Sequence, residues 1–256
     1  MQGFFIVKHM QSSLKYGLLS LWILFPVAFI ISFLANKYIH SRESTNTVLR
    51  LKSWFIILCI FSALFVLPDF TVNIIFILLF YFSCKELAAK YKNNRKIGFF
   101  FLYILIITFL SLFSAAALFY FKNGKQIFFF IAVCTQLNDI FQYLWGKSLG
   151  KTPLAPKISP NKTCEGFAGG VFTTAILTFF TAGYFTGLNG FKALLLGIIT
   201  ACLGAAGDLT VSALKRKLNI KDFGNLLPGH GGLLDRIDSL LYTMPFALLY
   251  LYFYLR

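Results

Sequence analysis

Residues 204–240 read GAAGDLTVSALKRKLNIKDFGNLLPGHGGLLDRIDSL, and the fold turns on how this stretch sits among its neighbours. It holds four of the chain's nine carboxylates, five of its 24 lysines and arginines and six of its 19 glycines. The sequence on either side is dominated by Phe, Leu and Ile. Polar groups close to lipid are costly and persist mainly where they are paired, hydrated or used. A charged cluster that opens inside one apolar segment and closes at the edge of the next is therefore a candidate site between two membrane helices.

The composition of the whole chain supports that setting. Of 256 residues 58% are hydrophobic and 18% aromatic, and the mean hydropathy is +0.74. Only 13% are charged, against about 25% in soluble domains. These values predict an all-α, polytopic transmembrane bundle. The five cysteines, Cys59, Cys84, Cys134, Cys164 and Cys202, show no metal-ligand spacing and read as small core residues. A formal charge of +15 points first to inner-leaflet loops, then to anionic headgroups or phosphates. The basic residues are dispersed among short loops, which argues against a nucleic-acid partner.

Apolar runs long enough to cross about 30 Å of hydrocarbon fall at roughly 16–35, 53–68, 70–84, 98–121, 127–145, 165–187, 193–213 and 238–255, giving about 8 membrane segments. The first is expected to be a true span rather than a cleaved leader. The runs at 53–68 and 70–84 are short and meet at Pro68-Asp69, so they are either two tilted spans or a hairpin dipping into one leaflet. Residues 1–130 form N-terminal transmembrane helices and residues 131–256 a C-terminal catalytic region, within one integral membrane unit. Alternate connections between the runs carry eighteen of the 24 Lys and Arg residues. That asymmetry assigns those connections to the cytoplasm, including the two polar loops at 146–164 and 214–237.

Six of the nine acids lie between 139 and 238: Asp139, Glu165, Asp208, Asp222, Asp235 and Asp238. Asp139 follows Asn138 inside an apolar helix and is either functional or a structural partner. Asp208, Ser212 and Lys215 stand at i, i+4 and i+7 and share a helix face. Asp235 and Asp238, at i and i+3, share a face at the start of the last helix, where negative charge suits the dipole. Pro228-Gly229-His230-Gly231-Gly232 is a turn that brings backbone N–H groups close to whatever binds there. Carboxylates converging from two helices suit a hard divalent cation such as Mg²⁺, and adjacent lysines and arginines suit polyphosphate. Such a set serves phosphoryl or nucleotidyl transfer, where positioning and charge neutralisation dominate. The loop from Gly146 to Gly166 is not a P-loop, which requires four residues between its glycines; its basic and hydroxyl residues still offer a phosphate-binding surface.

These residues resemble the signature of the phosphatidate cytidylyltransferases (CDP-diacylglycerol synthases). The likeness runs through Ser212-Ala213-Leu214-Lys215-Arg216, Lys221-Asp222, Leu227-Pro228-Gly229-His230-Gly231-Gly232 and Asp235-Arg236-Ile237-Asp238. Upstream it takes in Asn138-Asp139, Gly150-Lys151, Ile158-Ser159-Pro160, Lys162-Thr163 and Glu165-Gly166. The resemblance implies that CTP and phosphatidic acid yield CDP-diacylglycerol and pyrophosphate with Mg²⁺, at a site facing the cytoplasm from the inner membrane. It implies Asp208 and Asp235 as the main metal carboxylates, with Asp238 and Ser212 beside them. Lys215, Arg216, Lys221 and Arg236 would engage phosphates, and Asp139, Lys162 and Glu165 would complete the cavity. His230 would order the loop or touch phosphate rather than act as a base. The resemblance also leaves room for a second, monovalent cation and for a homodimer.

An ion-coupled membrane transporter is the alternative, since buried acids in a helical bundle also serve ion pathways. It predicts two halves of matching pattern, whereas this chain gathers its charged motifs in the C-terminal half. If the metal assignment holds, Asp208→Asn and Asp235→Asn will each lower turnover by orders of magnitude with expression intact. Either variant working at near-normal rate would remove that residue from the metal site.

Overall fold

The computed structural model describes residues 64, 67–91, 98–224 and 231–255. The chain divides at Pro68 into two compact units, and the second, Asp69–Arg256, carries the elements that follow. They are helices α1 (Asp69–Tyr91), α2 (Gly98–Leu118) and α3 (Gly124–Leu149), strands β1 (Pro153–Ala155) and β2 (Ser159–Thr163), then α4 (Cys164–Thr186), α5 (Phe191–Lys217), α6 (Leu234–Ile237) and α7 (Leu240–Leu255). The expected span at 16–35, and nearly all of that at 53–68, lie outside the described residues.

Helices α1 to α5 are each long and apolar enough to cross a membrane, and α7 is a shorter apolar helix. The protein is an all-α integral membrane bundle. Its outer surface is greasy: Phe70, Phe99, Phe180 and Phe253 are each at least three-quarters exposed. Such a display belongs against lipid, because water-soluble surfaces rarely tolerate large apolar patches. Inside, hydroxyls are satisfied within their own helices. Thr108, Thr135, Thr178 and Thr243 each donate to the carbonyl four residues earlier, the local solution open to a side chain with no water to reach.

Helix α3 lies at the centre, packed on α4, α5, α7 and α2; α4 also packs on α5, α2 on α7, and α1 on α2. A buried cluster of Leu87, Ile104, Val211, Leu214, Phe223, Leu234 and Leu241 ties α1, α2, α5, α6 and α7 together at one end. That end carries the charged residues.

Three local features depart from the sequence expectation. The run at 70–84 is part of a 23-residue helix that continues through Lys85 and Glu86 to Tyr91, about 34 Å at 1.5 Å per residue. It is a helix long enough to cross the hydrocarbon layer. Between Gly146 and Gly166 lies an antiparallel hairpin, with Pro153 opposite Thr163 and Ala155 opposite Ser159. Asp235 and Asp238 do not begin the last helix: Asp235 sits in the one-turn α6, Asp238 caps its end, and α7 starts at Leu240.

Gly207 sets how closely this junction approaches α5. A Cβ at Gly207 would collide with the backbone carbonyl of Asp238. Gly207→Val is therefore expected to destabilise the bundle by about 1–3 kcal/mol, the usual cost of overpacking, read as a lowered thermal midpoint in detergent. An unchanged midpoint would mean that α5 and the Asp238 turn are not in contact.

Candidate active site

The polar cluster is built from α5 outward. Asp208 lies on the face of α5 turned toward the α6–α7 junction, and its Oδ1 accepts the hydroxyl of Ser212 at 3.1 Å. That is the i, i+4 contact the spacing predicts. Its Oδ2 pairs with Lys162 Nζ at 2.6 Å. Lys162 arrives from β2, so the hairpin at 153–163 delivers a cation to a helix carboxylate. The hairpin is anchored at both ends. Arg216 Nε donates to the carbonyl of Ile158 at its turn (3.1 Å), and Glu165 accepts the N–H groups of Lys151 and Thr152 at its base. Thr163 then caps α4 by accepting the N–H of Gly166, the ordinary role of a threonine at that position.

A second pair forms about two turns further along α5. Lys215 Nζ donates to Asp235 Oδ1 at 2.9 Å, with the Asp235 side chain 2% exposed and that of Lys215 14%. Asp235 Oδ2 accepts two backbone N–H groups, from Phe223 at 2.9 Å and Gly232 at 3.0 Å. Lys215 is also an electrostatic neighbour of Asp238, which in turn faces Asp208 and Asp139. Asp238 Oδ1 accepts the N–H of Ser239. Asp139, on α3, is an electrostatic neighbour of Lys162 and Asp208. Asp139, Asp208, Asp235 and Asp238 are thus linked into one cluster through Lys162 and Lys215.

Four buried side-chain atoms among the described residues have no hydrogen-bond partner: Asp139 Oδ1, Gln142 Nε2, Lys162 Nζ and Arg236 Nε. Lys162 meets Asp208 as an ion pair without a hydrogen bond. Unsatisfied buried polar atoms are few in native proteins and call for an explanation. Here three are nitrogen donors and one is a carboxylate oxygen, all on residues of the cluster or one helical turn from it.

A hard cation fits this donor chemistry. Four carboxyl groups stand against two ammonium groups, so the cluster holds more acid oxygens than the two lysines can pair. A carboxylate has about four lone-pair sites, so Asp208 and Asp235 retain acceptor capacity beyond their present partners. Among the described residues, no three His, Cys, Asp or Glu side chains already stand close enough together to enclose a metal ion.

The remaining sequence candidates are placed as follows. Arg216 and Lys221 are exposed; Arg216 holds the hairpin turn. Glu165 is turned onto the backbone of residues 151–152. Arg236 is partly buried beside Asp235, and His230 lies outside the described residues. Sequence reasoning passed over Gln142, one turn beyond Asp139, and Glu86, which accepts the N–H groups of Leu233 and Leu234. The one sign of Glu86 was an acid directly after an apolar run and among lysines.

Removing Lys215 as Lys215→Met would strand Asp235 in a buried position. Breaking one partner of a buried pair costs about 3–5 kcal/mol, so a strong fall in thermal midpoint is expected. Joint replacement with Asp235→Leu is expected to restore part of it. Equal midpoints for Lys215→Met and the native protein would show that the pair is not buried.

The chain is similar to known proteins. The cytidylyltransferase family matches residues 3–254 of the chain. The uncharacterized protein YnbB of Escherichia coli is 49% identical over 124 residues, covering 48% of this chain and 42% of that protein. The phosphatidate cytidylyltransferase of Bacillus subtilis is 46% identical over 126 residues, 49% of this chain and 47% of that protein. That of Aquifex aeolicus is 42% identical over 142 residues, 54% and 53% of the two chains. The chain therefore spans about half the length of the curated relatives it matches. Because the family match runs through nearly the whole sequence and encloses the acid–lysine cluster, the chain belongs to the cytidylyltransferase family.

Proposed function

We propose that this protein is a phosphatidate cytidylyltransferase, joining CTP and phosphatidic acid to give CDP-diacylglycerol and pyrophosphate. The observation that carries the proposal is a carboxylate cluster held by two lysines, Lys162 and Lys215, with two further buried donors beside it, Arg236 Nε and Gln142 Nε2, that have no hydrogen-bond partner. Donors of that kind await an anionic ligand, and acids among them await a cation. Names of the Bacillus and Aquifex relatives supply the reaction class.

In the proposed reaction a phosphatidate oxygen forms a bond to the α-phosphorus of CTP. The bond from that phosphorus to the bridging oxygen breaks, and pyrophosphate leaves with the electron pair. A phosphate monoester is already largely anionic at neutral pH, its second pKa being about 6, so no strong general base is required. Lys162, Lys215 and Arg236 offset repulsion between the two anions and hold the phosphates in line. Gln142 offers a neutral donor one helical turn from Asp139. Asp208 and Asp235, with Asp238 beside them, would hold Mg²⁺. When bound, the ion supplies charge neutralisation at the triphosphate.

The cluster lies at one end of the bundle, where helix ends meet polar loops. That position lets acyl chains stay in the bilayer while the headgroup enters among the helices. The distribution of Lys and Arg favours the cytoplasmic face, where CTP is available.

The purified protein is expected to release pyrophosphate only when CTP, Mg²⁺ and phosphatidic acid are all present, with a cytidine-bearing lipid formed in equal amount. Lys162→Met should lower kcat/KM by about 100-fold or more, the order expected for a charged transition-state contact. Absence of pyrophosphate release from well-folded protein would defeat the enzyme and return the buried acids to an ion pathway.

A further inference from the structure

Glu86 belongs to none of the motifs used above, yet it reaches the centre of the cluster. Helix α1 carries it past the apolar run to the segment that presents Asp235. Its Oε1 accepts the N–H of Leu233 at 2.9 Å and its Oε2 that of Leu234 at 3.1 Å. These are amides at the start of α6, which has no intrahelical partners for its first N–H groups. Gly224 and Gly232 pack directly against the same carboxylate.

The neighbouring amides belong to Asp235, whose Oδ2 takes the N–H groups of Phe223 and Gly232. Two carboxylates therefore grip the same backbone. Asp235 holds residues 223 and 232, and Glu86 holds 233 and 234. Gly232 and Leu233 are consecutive, so a shift at one amide is carried to the next through a single rigid peptide plane. The orientation of Asp235, and with it the Lys215 ion pair, depends on a residue almost 150 positions earlier in the chain.

We propose that Glu86 is a positioning residue of the site, fixing the backbone from which Asp235 faces Lys215 and the cation. Glu86 itself touches no reacting atom. Its catalytic consequence rests on the proposed function; its anchoring of the Asp235 segment does not. A plain helix cap would protect its own two amides and leave Asp235 as it was, and that difference can be measured.

The test uses the purified full-length protein in lipid nanodiscs, with Glu86→Gln as the variant. Glutamine keeps the size but sets an N–H donor against one of the two amides. Hydrogen exchange at single-amide resolution is expected to accelerate about tenfold or more at Leu233 and Leu234, the scale of one lost charge-assisted hydrogen bond. The deciding result is a comparable acceleration at Phe223 and Gly232, which Glu86 does not touch. In turnover, the Mg²⁺ concentration for half-maximal pyrophosphate release should rise several-fold and kcat fall about tenfold, while the KM for phosphatidic acid stays within about twofold. Asp69→Asn, at the opposite end of α1 in an ion pair with Lys125, should change none of these.

Acceleration confined to Leu233 and Leu234, or native Mg²⁺ dependence and kcat in folded Glu86→Gln protein, would overturn the proposal. Should the Gln variant fail to fold, Glu86→Asp keeps the charge, shortens the reach by one methylene and is judged by the same comparison. If the native protein releases no pyrophosphate, the enzymatic function fails, while the exchange data still decide the anchoring.

Discussion

Carboxylates enclosed in a bundle whose outer surface is hydrocarbon-facing set the terms for everything else in this structure. Asp235 is almost fully buried, and Asp208, on the apolar helix α5, is three-quarters buried. Each must be compensated, because an uncompensated charge in a low-dielectric interior is among the most destabilising features a fold can contain. The compensation comes from separate places: Lys215 on α5 for Asp235, and Lys162, for Asp208, from a hairpin that lies between α3 and α4 in sequence. Meeting that demand draws the hairpin, the end of α5 and the α6–α7 junction to one end of the bundle. The site is the meeting point of elements that the acids require.

How much of this was legible depended on whether the controlling contacts were local. The i, i+4 spacing of Asp208 and Ser212 is a helix rule, and it reappears as a 3.1 Å hydrogen bond. Lys215 was placed on the same face, and it does reach an acid, but one on a different helix. The membrane helices followed from apolar run length alone, because a spanning backbone must satisfy itself within the helix. The long-range contacts were not legible. Nothing in the residues around Glu86 says that its partners lie beyond residue 230. The same contact explains why α1 outlasts its apolar run, since Glu86 has a buried destination that favours continuing the helix.

The break between α6 and α7 was missed for a related reason. Asp235 and Asp238 at i, i+3 followed by an apolar run read as the charged first turn of one helix. In the structure the acids use their oxygens on backbone N–H groups outside that helix: Phe223 and Gly232 for Asp235, Ser239 for Asp238. Both side chains are thus spent on backbone around the α6–α7 junction, and Asp238 closes the one-turn α6 before α7 begins at Leu240. Gly207 allows this junction to settle against α5, since any Cβ there would meet the Asp238 carbonyl.

This arrangement explains how a chain so rich in Phe and Leu accommodates the chemistry of two polyanions. Most hydroxyls in the bundle are spent on their own helix carbonyls and are closed to ligands. Among the described residues, the buried side-chain donors without a hydrogen bond are those of Gln142, Lys162 and Arg236, where the acids also gather. On the proposed function, that placement separates the two halves of a lipid substrate. Acyl chains meet a surface rich in exposed Phe and Leu, and the phosphate meets a region with hydrogen bonds to give. A nucleotide approaching from the polar loops would encounter Lys162 on a hairpin held at its turn by Arg216 and at its base by Glu165. Clamping both ends keeps a lysine with four rotatable bonds pointed at Asp208, and a cation already ordered loses less entropy when a phosphate arrives.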